Sequence, residues 1–160
     1  MMWARHYFLQ TELAERHPPR AVNKLTPTIK DIHIKDFIVE SAEKILSVNG
    51  IPEIPCSNVL IKNGKINSKK LITALNDVDG FTFRNLDIHA EDNKINILDG
   101  RNILFDDVTF AVPHGEILTN IKGDKSKNII IQNGKSRTEC SLEKRIKVEK
   151  LSQALLKSRK

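Results

Sequence analysis

Aromatic residues are scarce in this chain: one Trp, one Tyr and six Phe among 160 positions. A core built mainly on large rings is therefore excluded, and Ile, Val and Leu must fill the interior, as suits stacked and buried strands. Cysteine is equally sparse. Cys56 and Cys140 lie far apart with no metal-ligand spacing and read as buried thiols, Cys56 at the opening of a strand. No apolar run has the length of a membrane span. The first residues, with Arg5, His6, Glu12, Glu15 and Arg16, lack the apolar core of an export signal. The formal charge of +6 is also not where a nucleic-acid surface would put it. Residues 21–140 hold 16 basic and 16 acidic side chains, whereas residues 141–160 hold 7 and 2. Without a basic stripe interleaved with aromatics, neither nucleic acid nor a membrane is expected as a partner.

What the chain does have is a repeat. Five triplets align: Ile32-His33-Ile34, Val59-Leu60-Ile61, Phe81-Thr82-Phe83, Ile103-Leu104-Phe105 and Ile129-Ile130-Ile131, at steps of 27, 22, 22 and 26 residues. First and third residues of each are apolar, the alternation of a strand. Four places after each start stands a short side-chain carbonyl: Asp36, Asn63, Asn85, Asp107 and Asn133. A second turn former precedes each start: Asp31, Asn58, Asp79, Asn102 and Asn128. Asp and Asn tolerate unusual φ and bond nearby backbone amides, so both sets predict bends, with a ladder of side chains along the first. Apolar residues recur at the seventh place after the start (Val39, Ile66, Ile88, Phe110) and again at 13 or 14 (Ile45, Ile72, Ile95, Ile117). Three strands per winding predict an all-β, parallel β-helix of about five coils. The rival is a set of antiparallel hairpins on Asn63-Gly64, Asp79-Gly80, Asp99-Gly100 and Asn133-Gly134. Hairpins would not require one side-chain class at one offset five times.

Three regions follow. Residues 1–24 form an N-terminal extension or partial cap, in which Trp3, Tyr7, Phe8 and Leu9 precede a break at Pro18-Pro19. Residues 25–138 are the coils. Residues 139–160 are a basic tail, where Leu142, Ile146, Leu151 and Leu155, with Ser141 as N-cap, predict an amphipathic α-helix. Its apolar side would rest on the outward row of Leu60, Leu104 and Ile130, or on an open end of the stack. An abrupt end of the stack exposes strand edges, and self-association through such an end is expected.

Within the coils, Thr26-Pro27, Ile29-x-x-Ile32-x-Ile34, Gly50-Ile51-Pro52-Glu53-x-Pro55 and Asn58-Val59-x-Ile61-x-Asn63 follow in an order that resembles the C-terminal half of the polygalacturonase-like enzymes, glycoside hydrolase family 28. The resemblance covers about residues 25–135. It implies a right-handed parallel β-helix, inverting hydrolysis of α-1,4-galacturonan by carboxylates, no cofactor or metal, a uronide polysaccharide as partner, and work outside the cytoplasm. That family's motifs are Asn-Thr-Asp, Asp-Asp, Gly-His-Gly and Arg-Ile-Lys. The look-alikes here are Asn76 to Asp79, Asp106-Asp107, His114-Gly115 and Arg145-Ile146-Lys147. Each has a plainer role. Asp79 precedes a strand as Asp31 and Asn58 do, and Asp107 is the ladder residue of its coil. His114 follows Pro113 instead of Gly, and Arg145 to Lys147 fall in the predicted helix. Asp79, Asp107 and His114 thus remain the candidate catalytic residues, and the expectation is that none is catalytic. The chain then reads as a C-terminal segment of a larger enzyme, with a non-catalytic carbohydrate-binding or structural solenoid as the alternative. Lys62, Lys65, Arg84 and Arg101 are candidates to face uronate carboxylates.

Overall fold

The computed structural model describes residues 18–136. Eight strands succeed one another: β1 (Lys30–Asn49), β2 (Cys56–Asn76), β3 (Val78–Ala90), β4 (Lys94–Leu98), β5 (Arg101–Ala111), β6 (Leu118–Lys122), β7 (Lys127–Gln132) and β8 (Lys135–Ser136). Every pairing between them is parallel. The hairpin alternative is thereby removed: a two-residue turn reverses a chain, whereas these Asx-Gly pairs only bend it.

The order β6-β4-β2-β3-β5-β7, with β1 on β2 and β8 on β5, describes a β-solenoid. Ile32, Val59, Phe81, Ile103 and Ile129 stand in one column of directly paired residues. Val39, Ile66, Ile88 and Phe110 form a second. Among the described residues, five strands stacked in this way enclose about four turns, where about five coils were expected; β7 is followed there by the two residues of β8. The expected C-terminal helix, the tail from 139 and the aromatic cluster at Trp3 to Leu9 lie outside the described residues. Among the described residues the one helical element is a 3-10 turn at Pro113–Gly115.

The bends have one cause. Asp36, Asn63, Asn85, Asp107 and Asn133 all sit in the left-handed region, at φ between 49° and 56°. So do Asp31, Asn58, Asn102 and Asn128 at the other end of the short strand. Asp and Asn are the L-residues that enter this region at least cost. In the third rung the corner residue is Gly80 (φ 73°), so Asp79 stands one place before the bend it was expected to make. A third corner is turned by Asp77 and Asp99, both buried, and by Gly123.

The core lies inside the windings. Phe81, Phe83, Phe105 and Phe110 are fully buried, and Phe83 stacks on Phe105 from the next rung with ring centroids 4.6 Å apart and planes within 5°. Scarce aromatics are thus gathered in one place, where the fixed spacing between rungs suits ring stacking. The third apolar set is less regular. Ile72 pairs with Ile95, but Ile45 is one place out of register and Ile117 lies just before β6, where Ile95 faces Thr119. The Pro113–Gly115 turn offsets the strand that follows; Ile117 is buried all the same. At the upper end the Phe37 ring lies over Gly64, filling the space a Cβ would need.

Candidate functional site

Where the chain bends at Asp36, Asn63, Asn85 and Asp107, a groove of about 500 Å³ runs across the rungs. Its far wall carries Ile38, Lys65, Asp87 and Thr109, which stand opposite one another in successive strands. Asn63 Nδ2 donates to Asp36 Oδ1 at 2.9 Å, and Asn85 Nδ2 donates to Asn63 Oδ1 at 3.0 Å. Each amide therefore spends its N–H₂ on the rung above, and the direction of donation is the same each time. Asp107 cannot continue the series, because an ionised carboxylate only accepts. Its side chain is exposed in the groove, and the next donor, Asn133 Nδ2, bonds Asp106 Oδ1 instead at 2.9 Å.

Asp106 is the better-connected carboxylate. It also accepts from Gln132 Nε2 at 3.1 Å and pairs with Arg84 Nε at 3.1 Å. The hydrogen bonds from Asn133 and Gln132, with the Arg84 charge behind them, hold its carboxyl below the ordinary Asp range. Nothing in the repeat marks Asp106 beforehand, since its position is occupied by Lys35, Lys62, Arg84 and Gln132 in the other strands. Asp87, which lines the groove, was missed for the same reason: its column reads Ile38, Lys65, Asp87, Thr109.

The candidate catalytic residues are not brought together. Asp79 pairs with Arg101 Nη2 at 3.1 Å and accepts from Asn102 Nδ2 at 2.7 Å. Arg101 is directly opposite Asp79, and Asp107 is six residues further along β5. At the rise of an extended strand that puts the two carboxylates on the order of 15–20 Å apart, beyond the ~6.5–9.5 Å at which two carboxylates can share a water across a glycosidic bond. His114 is exposed on the 3-10 turn beyond β5, itself at φ 59°. Arg145 to Lys147 lie outside the described residues.

Of the basic candidates, Arg84 and Arg101 are engaged by Asp106 and Asp79. Lys62 stands between Lys35 and Arg84 in a column on the outward side of the short strands, beside the column His33, Leu60, Thr82, Leu104 and Ile130. Burial raises the Cys56 thiol, which keeps it protonated and unreactive. Among the described residues no three of His, Cys, Asp and Glu are grouped as a metal site, and no helix is long and apolar enough to cross a membrane. Compared with family models, with curated proteins and with solved structures, the chain matches none of them.

Proposed function

We propose that this stretch is the C-terminal β-helix segment of a polygalacturonase-type glycoside hydrolase, wound right-handed as parallel crossovers are, that offers a wall for a uronide polymer and does not cleave it. One observation carries the reading: Asp79 on β3 and Asp107 on β5 stand at opposite ends of the short stretch between corners, where an Arg partner accounts for Asp79 and corner geometry for Asp107. The groove beside Asp107 has the chemistry of a contact with sugar hydroxyls, with amide and carboxylate oxygens along one wall and Lys65, Asp87 and Thr109 on the other. Lys35 and Lys62, in the column next to it, supply positive charge for uronate groups, while Arg84 in the same column is held by Asp106.

The test is co-sedimentation of the chain with cross-linked polygalacturonate and, in parallel, with a neutral galactan. Retention on the uronide alone, weakened by added salt and several-fold by Lys62→Ala with Lys65→Ala, is the expected result. Equal retention on both polymers would favour the second reading, a general carbohydrate-binding solenoid. No retention on either would leave only a structural role.

A further inference from the structure

Among the described residues, nothing covers the upper end of the solenoid. β1 pairs with β2 along one edge, and its other edge has no partner among the described residues. Its inward residues show the consequence: Ile32 is 38 % exposed and Ile34 43 %, while Val59 and Ile61 one rung below are 5 % and 6 % exposed. Such an edge is a template for another strand. Residues 1–22 contain none of the Asp, Asn or Gly that hold the corners of the rungs below.

The sequence of that edge is a charge palindrome. Lys30-Asp31-Ile32-His33-Ile34-Lys35-Asp36, laid antiparallel on a second copy of itself with His33 at the centre, sets Lys35 opposite Asp31 and Lys30 opposite Asp36. Ile32 meets Ile34, and His33 meets His33. The same register keeps inward residues opposite inward residues, so the apolar end of one solenoid continues into that of the other. Shifting the pairing by one place would set Asp31 against Asp36 and Ile32 against Lys35. No other short strand has two such complementary pairs: from Ser57, Asp79 and Lys127 there are none, and from Arg101 there is one, Arg101 with Asp107. The palindrome thus occurs on the one rung whose upper edge has no partner among the described residues.

We propose that β1, wherever it is the terminal rung and no upstream coil of a longer enzyme lies on it, is an isologous docking surface for a second copy of this chain, joined head to head by antiparallel pairing of residues 30–36 about a two-fold axis at His33. Opposed charges across such a pair are individually modest, but symmetry makes each occur twice. Exposed Ile32 and Ile34 supply the apolar contact, and the charges choose the register.

Sedimentation of the full chain over a range of concentrations is the first test, with a dimer expected. In a Cys140→Ser background, His33→Cys should cross-link to its own copy under mild oxidation, since opposed Cβ atoms lie ~4.5–5.5 Å apart. Lys35→Cys should not, because its copy is displaced four residues along the strand, about 13 Å away. Lys35→Asp should raise the dissociation constant at least about five-fold by turning two attractions into two repulsions, with an unchanged circular dichroism spectrum. A chain that stays monomeric, with slow amide exchange in β1 lost on deleting residues 1–17, would mean its own N-terminus covers the edge and would overturn the proposal. So would a dimer in which Lys35→Cys cross-links and His33→Cys does not.

Discussion

Asp107 holds its backbone at φ 52°, a conformation that costs most L-residues roughly 1–2 kcal/mol and Asp or Asn much less. A corner role makes a definite forecast. Asp107→Asn should change unfolding free energy by no more than about 0.5 kcal/mol, as at a surface site without special features, since Asn already serves at Asn63, Asn85 and Asn133. Asp107→Val, β-branched at the same corner, should lose about 1–2 kcal/mol in urea unfolding. Asp106 gives a pH signature. Its folded-state pKa is depressed, chiefly by Asn133 and Gln132, so its contribution is complete above the unfolded value near ~4 and is lost as pH falls through the lowered value. The stability gap between wild type and Asp106→Asn should therefore be constant above about pH 5 and close below about pH 4. A gap that widened in acid would contradict this. At this scale the corner residues were legible because one side-chain class recurs at one offset. Asp106 was not, because its bonds come from Arg84, Gln132 and Asn133 on other rungs, and neither its column nor its neighbours in sequence announce them.

Among the elements, β5 lies between β3 and β7 in the stack and contributes two of the four fully buried rings. Phe105, 1 % exposed and stacked on Phe83, should cost about 3–5 kcal/mol on truncation to Ala, because rungs above and below cannot close the gap without breaking register. β1 behaves differently, since among the described residues it is paired on one edge alone. Its Phe37 ring occupies the space over Gly64, so Gly64→Leu would displace the ring and loosen β1 from β2. Amide exchange in β1 should then accelerate about ten-fold or more, as an overpacking cost of ~1–3 kcal/mol implies, while β3 and β5 keep their protection. Uniform acceleration throughout would show that the rung does not open separately. The first two apolar columns could be read from the sequence, since the chain between them has constant length. The third could not. Steps through Ile45, Ile72, Ile95 and Ile117 pass over register shifts in β1 and the Pro113–Gly115 turn, where the number of residues per winding changes.

For the molecule as a whole, a solenoid is a sum of rungs and the contacts between neighbours, so what each rung lends to function depends on which residues the winding brings into one column. The winding aligns Asp36, Asn63, Asn85 and Asp107 along one groove, yet keeps Asp79 at the far end of the short strand and His114 on a separate turn. The central claim is that Asp107 shapes a corner, that Asp79 beside another corner is held by Arg101, and that neither cleaves bonds. Its most direct test is release of reducing ends from polygalacturonate by the intact chain and by Asp107→Asn at matched, folded concentrations. The account predicts no turnover from either protein above the no-protein control. Measurable hydrolysis by the wild type that Asp107→Asn abolishes, with the fold unchanged, would contradict it.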